Sequence, residues 1–248
     1  VLFGIVFAII MMIGSYMGIN NFLFYIFAAV AVMFLQFLIG PKMVEWTMRV
    51  KYVTRKEYPR LFDLVESLAI RAEIPMPKIG ISQIALPNAF AFGRGIRDGR
   101  VCVTHGLLNL LDERELKAVL GHELTHLKSR DVLTISLLSV IPMVMYWIYW
   151  RFAFAGSRRD ERGSKTMLIG LAAFIFYLIT NLLVLYGSRI REYFADRGSI
   201  SLGNSPASLA SALYKLVYGA ARIDKESIKE VEGLKAFFAS DPSVARNE

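Results

Sequence analysis

His122-Glu123-Leu124-Thr125-His126 sets two imidazoles four residues apart, with a carboxylate directly after the first. On a helix, positions i and i+4 project from one face, so both rings can reach a single metal ion. Glu123 can then touch a water held by that ion, the arrangement that metal-assisted hydrolysis requires. The spacing predicts a zinc centre with His122 and His126 as ligands and Glu123 as the base. Catalytic zinc takes three protein ligands and keeps a fourth position open. The chain has three histidines and one cysteine, with none of its histidines downstream of His126. Cys102 alone excludes a cysteine-based site. A carboxylate is therefore needed. Arg189–Asp196 (RIREYFAD) offers Glu192 and Asp196, again i and i+4 on one helical face. Glu192 can ligate while Asp196 accepts a hydrogen bond from a ligand imidazole and fixes its tautomer. On an ordinary surface helix the same pair is two solvated acids, so the elements that carry it decide.

Those elements follow from the charge distribution. The 248 residues are 55% hydrophobic and 20% charged, with a net charge of +8. Residues 1–41, 132–150 and 166–187 contain no charged side chain, and every Lys, Arg, Asp and Glu falls in the remainder. The remainder is about 30% charged, as a solvated surface is. A fully soluble globule and a disordered chain are both excluded. A spanning helix needs about 20 apolar residues. Residues 1–41 supply two, Val1–Met17 and Phe22–Gly40, with Gly18–Asn21 as the turn and Gly40-Pro41 as the end of the second. The chain opens inside an apolar run, which reads as a trimmed end and leaves a signal peptide undecided. Lys42, Arg49, Lys51, Arg55, Lys56 and Arg60 follow. This places residue 42 onward in the cytoplasm by the positive-inside rule. Basic residues beside membrane spans account for the net charge without nucleic acid.

Between the spans, a helix is predicted from Pro59 to about Ile74, then short strands at Lys78–Ile84, Ala89–Gly93 and Arg100–Thr104, the last two as a hairpin. Asp112 and Glu115 have capping-box spacing and open a helix to about Ser129. Ser205-Pro206 opens another to about Arg222, and a further helix is predicted over Lys225–Ala239. The runs 132–150 and 166–187 are read as an apolar hairpin that spans the bilayer, with Tyr146, Trp147, Tyr149 and Trp150 as an interface belt. Five basic residues in the Arg151–Lys165 loop run against the positive-inside rule. His126 lies six residues before the first run and Glu192 five after the second. Two antiparallel helices of similar length return the chain to its starting level, so Glu192 comes back to His126 beside the cytoplasmic membrane surface.

Gly121–Asp131 (GHELTHLKSRD), Pro87–Ala91 (PNAFA) and Arg189–Asp196, with apolar pairs before and between, resemble the HtpX family. These are membrane zinc metallopeptidases related to the CAAX prenyl proteases. The resemblance implies a mainly α membrane protein: four apolar helices plus a cytosolic, gluzincin-like α+β zinc peptidase domain with a small edge-strand sheet. The peptidase domain would be discontinuous, 42–131 with 188–248, beside a 1–41 transmembrane hairpin and the apolar hairpin 132–187. The resemblance implies one zinc per chain on His122, His126 and Glu192, Glu123 as general base, and Asp196 and Asp131 as supporting carboxylates. Asn88, Ala89 and Phe90 would form the edge strand that pairs with substrate backbone. The family often shows a His-Pro pair near its C-terminus, with the His as a candidate oxyanion stabiliser, where this chain has Asp241-Pro242. Arg189, Arg191, Tyr193 or His105 are the substitutes available, His105 reading first as a strand-end histidine.

The implied function is endoproteolysis of misfolded or membrane proteins at the cytoplasmic face of the cell (inner) membrane, as quality control under stress. The partners are unfolded or membrane protein substrates and the lipid bilayer. Two alternatives share the motifs: a CAAX-type prenyl protease, for which four apolar segments are few, and a scaffold with a structural metal. An intact Glu123 argues against the scaffold, because a structural site needs no base.

Overall fold

The computed structural model describes residues 9–10, 12–14, 16–19, 21–153 and 161–221. Most of the first apolar segment, the middle of the Arg151–Lys165 loop, the helix expected at Lys225–Ala239 and the Asp241-Pro242 pair lie outside the described residues. Contacts divide the chain into two units. One takes in Val1–Gly40 and Leu137–Val184, the other Pro41–Ser136 and Leu185–Glu248.

The protein is mostly helical. Among the described residues three helical stretches are long and apolar enough to cross a membrane: Leu23–Thr47, Asp131–Ala153 and Met167–Ser201. The first belongs to α1 (Phe22–Thr47), which has Pro41 inside it. The expected stop at Gly40-Pro41 is therefore wrong by about two turns. Proline removes the donor that the Phe37 carbonyl would use, but its φ is itself helical. The gain that offsets the loss lies just beyond: Val44 and Met48 pack against Ile84, Leu86, Phe90, Phe92 and Cys102.

The second stretch is two helices, α5 (Asp131–Leu138) and α6 (Val140–Ala153). Pro142 cannot donate to the Leu138 carbonyl, which accounts for the break at Ser139. The third stretch belongs to α7, one continuous helix from Glu161 to Ser201. Aromatic rings join α6 to α7, with Tyr146 and Tyr177 centroids 5.1 Å apart and Tyr149 and Phe174 5.0 Å apart. The cluster read as an interface belt thus also packs helix on helix.

In the other unit four strands form a mixed sheet: β1 (Val50–Tyr52), β2 (Lys78–Ser82), β3 (Ala89–Phe92) and β4 (Arg100–Thr104), in the order β1-β2-β4-β3. β2 and β4 are parallel, and the outer strands pair antiparallel. The β3–β4 hairpin matches expectation, whereas β1 is an addition to it. Its three residues are too few to show an alternation. Gly93, at φ 152°, ends β3 where a Cβ would lie 2.3 Å from the Asp98 carbonyl oxygen. One face of the sheet meets the end of α1. The other carries Ile79, Ile81, Val101 and Val103 against α2 (Pro59–Ala72), α4 (Glu113–Lys128) and α8 (Pro206–Ala221). The short helix α3 (His105–Leu110) follows β4, capped by the Thr104 hydroxyl accepting from the Leu107 N–H.

The start of α4 is held from both ends of the sequence. Asp112 and Glu115 form the capping box, the Glu115 side chain accepting from the Asp112 N–H at 2.9 Å. Ser211 and Lys215 of α8 donate to the same carboxylate, each at 2.7 Å. Burial alone would raise the Glu115 pKa, but these donors outweigh it and hold the group below the usual carboxylate range. A depressed carboxylate stabilises the fold above its unfolded pKa of about 4.3 and loses that contribution as pH falls through the folded value. Glu115→Ala is expected to cost roughly 2 kcal/mol at neutral pH. Thermal unfolding across pH 3–7 checks this, because the deficit should shrink towards the acid end.

Candidate metal centre

α4 turns its apolar side, with Leu116, Leu120 and Leu124, into the core. The next face carries His122 and His126, whose rings lie edge to face with centroids 4.7 Å apart. Glu192, on the C-terminal part of α7, places Oε2 3.4 Å from His122 Nε2 and 3.6 Å from His126 Nε2. One donor atom from each of the three lies within 4.8 Å of the others.

Two carboxylates hold the imidazoles from behind. Asp196 Oδ1 is 2.9 Å from His122 Nδ1, and Asp131 Oδ2 is 2.5 Å from His126 Nδ1. If each Nδ1 donates its proton to its carboxylate, each Nε2 presents a lone pair. The two Nε2 atoms are 3.1 Å apart. In that tautomer the two lone pairs converge and repel, and a cation held between them would relieve the repulsion. The electrostatics agree. Burial opposes charge on His126, yet the Glu192 hydrogen bond, the Glu123 charge and the Asp131 hydrogen bond outweigh it and lift its pKa to about 9. His122 is raised in the same way, its Glu192 hydrogen bond overcoming burial. Two nitrogens and a carboxylate oxygen are a donor set that zinc takes.

Glu123 points from the same helix to the sheet. Its Oε2 accepts from the Ala91 N–H at 3.0 Å. Burial raises its pKa against the opposing pull of the two histidines and the Ala91 N–H. A carboxyl tuned upward can both take and return a proton near neutral pH. β3 is an edge strand. The Thr104 N–H donates to the Asn88 carbonyl at 2.9 Å, so Asn88 and Phe90 face β4. By alternation Ala89 and Ala91 direct their backbone groups to the open edge. Asn88 is buried, and its N–H donates to the Thr104 hydroxyl at 2.9 Å.

Arg191 runs back over α5, its Nε 3.1 Å from Asp131 Oδ2 as an ion pair without hydrogen-bond alignment. Arg189 and Tyr193 are exposed on α7. His105 starts α3, and among the described residues no ion pair or hydrogen bond joins it to the cluster. The Arg191–Asp131 contact and the grip of Ala91 on Glu123 carry no sequence signal. Both depend on how separate elements are brought together. Asp196→Ala and Asp131→Ala should each weaken zinc binding about 10–100-fold, read by competition with a chromophoric chelator. Asp131→Ala should also lower stability, because it leaves the Arg191 charge without its partner.

Helices long and apolar enough to cross a membrane, a small mixed sheet with an open edge, and a His-His-Glu cluster beside a buried carboxylate define a membrane metallopeptidase. The chain belongs to peptidase family M48, whose family model matches residues 55–246, and within it to the HtpX-type proteases. It is 55% identical over 216 residues to the protease HtpX homolog of Methanothermobacter thermautotrophicus, covering 87% of this chain and 81% of that one. It is 43% identical over 231 residues to the homolog of Moorella thermoacetica, covering 90% and 75%. The fold is similar to the crystal structure of S. mikatae Ste24p, with a TM-score of 0.54 at 19% identity. That match covers 88% of this chain and 58% of the other.

Proposed function

We propose that this chain is a zinc endopeptidase that cuts extended segments of misfolded or membrane proteins at the cytoplasmic face of the cell membrane. The observation that carries the reading is the convergence of His122, His126 and Glu192 donor atoms beside Glu123 and the open edge of β3. His122, His126 and Glu192 would hold one zinc, with Asp196 and Asp131 fixing the two rings. When bound, the metal supplies Lewis acidity, polarising a carbonyl and lowering the pKa of water towards about 7. Glu123 takes the proton of the attacking water at a carboxylate oxygen and returns it to the leaving amine nitrogen.

The outward backbone groups of Ala89 and the Ala91 carbonyl align the substrate as an added strand, the Ala91 N–H being held by Glu123, with Asn88 and Phe90 anchoring β3 to β4. Strand addition reads backbone rather than side chains, so broad specificity and a need for extended chain follow. Arg191, committed to Asp131, steadies the carboxylate behind His126 and leaves Arg189 and Tyr193 as the exposed candidates for oxyanion contact. The basic residues from Lys42 to Arg60 support the cytoplasmic orientation. The peptidase domain is 42–131 with 188–248, preceded in sequence by the hairpin 1–41 and interrupted by the hairpin 132–187. A purified preparation in lipid should degrade an unfolded membrane protein, stop when a chelator strips the metal, and resume with one equivalent of zinc. Cleavage that persists in chelator would overturn this reading.

A further inference from the structure

The helices that carry the ligands, α4 and α7, run antiparallel where they meet. Ala118 faces Ser199, His122 faces Asp196, and His126 faces Glu192. On α7 the facing positions are 192, 195, 196 and 199, with Gly198 beside them, one side of the helix over two turns. Ala195 and Ser199 are fully buried there. His126 and Glu192 meet at one end of this seam. Alongside the ligands, two glycines let the backbones approach closely.

A Cβ on Gly198 would lie 2.3 Å from Thr125 Cγ2, 2.4 Å from Thr125 Oγ1 and 2.9 Å from Thr125 Cβ, Thr125 being the residue before His126. Thr125 cannot swing aside freely, because its hydroxyl donates to the Gly121 carbonyl at 2.8 Å. Reciprocally, a Cβ on Gly121 would lie 2.4 Å from Asn204 Nδ2 and 2.9 Å from Ser199 Oγ. Ser199 Oγ donates to the Ala118 carbonyl at 2.6 Å, and Asn204 Nδ2 donates to Ser199 O at 3.0 Å. The backbones approach as closely as the side chains allow, and hydrogen bonds fix the residues on both sides.

We propose that Gly198 against Thr125, with Ser199 and Asn204 against Gly121, sets the register of α7 on α4 and so the reach of Glu192 to the two histidines. These are positioning residues, and the inference rests on Glu192 being the third ligand. Seven residues separate Ser199 from Glu192, about 10 Å along the helix. Glu192 is exposed and projects from the helix beyond these contacts, so a small shift or tilt of α7 on α4 moves its carboxylate away from donors now 3.4 and 3.6 Å distant. The histidines share one helix and keep their mutual spacing; the α7 carboxylates, the ligand Glu192 and the supporting Asp196, depend on the seam.

The test uses the full chain in detergent and three readouts: zinc affinity by chelator competition, the visible spectrum of the cobalt-substituted protein, and thermal unfolding without metal. Gly198→Ala is expected to weaken zinc binding at least about 10-fold and to alter the cobalt bands. Adding Thr125→Ala, which removes the two closest obstructing atoms, should recover most of the loss. Ile200→Ala, on the exposed side of the same turn, should change neither. If Gly198→Ala fails to fold, Ser199→Ala deletes only the hydroxyl and should shift affinity and spectrum the same way. Unchanged zinc affinity in a folded variant, or lowered metal-free stability with no change in affinity or spectrum, overturns the proposal. Glu192→Ala separates the two ideas. If it weakens zinc and Gly198→Ala does not, the register proposal alone fails; if neither weakens zinc, the ligand assignment fails and the proposal with it.

Discussion

Glu123→Gln should bind one zinc as the parent does and cleave substrate about 10²–10⁴-fold more slowly, the range that a positioned acid–base group contributes. The substitution is nearly isosteric. A glutamine oxygen can still accept from the Ala91 N–H, so the edge of β3 keeps its place and substrate affinity should hold. None of the donor atoms around the proposed metal belongs to Glu123. What disappears is a group able to carry a proton between water and amine. Stability should not fall and is expected to rise slightly, because burial opposes the charged form of Glu123. An ionisable residue kept in a buried place at a cost to the fold is what a catalytic role looks like thermodynamically. The experiment needs zinc stoichiometry, kcat and KM on one preparation. Full activity with zinc bound would remove Glu123 from the mechanism.

Much of this protein is legible in local sequence chemistry. The Asp112–Glu115 box, Pro59 at the first turn of α2 and Ser205-Pro206 before α8 each signal a helix start within a few residues. The β3–β4 hairpin and the apolar runs are equally plain. Local signals mislead where tertiary contacts overrule them. Pro41 reads as a stop, yet burial of Val44 and Met48 carries α1 on to Thr47. Ser139 lies inside one hydrophobic run, and only Pro142's missing donor reveals that two helices share it. β1 is three residues long and exists because β2 offers it an edge. At the site, residue types and the i,i+4 rule are enough to point to His122, His126, Glu123, Glu192 and Asp196. The grip of Ala91 on Glu123, the pairing of Arg191 with Asp131 and the packing of Gly198 on Thr125 have no such signature. Each is a contact between elements far apart in sequence, and the residues involved have no composition that announces it.

Glu192 is where sequence spacing and geometry can be tested most sharply, because the cluster's other members share a helix and Glu192 alone must be brought in. Glu192→Ala should lower zinc affinity by more than about 100-fold, beyond the loss expected for either supporting aspartate. Two imidazoles alone leave the cation with too few ligands, and the carboxylate's negative charge goes with the ligand. The fold should survive, since the Glu192 side chain is 58% exposed and its ion-pair partners are the two histidines. Losing the partner that raises both histidines should lower the metal-free unfolding temperature only slightly, while the zinc affinities of parent and variant separate widely. Glu192→Asp sharpens the test. It keeps the charge but draws the carboxylate back by one methylene, so binding should fall between parent and alanine variant if reach governs ligation. An aspartate variant equal to the parent would make charge, rather than direct ligation, the contribution of this residue. An alanine variant that retains full zinc affinity would mean that the third ligand is another residue.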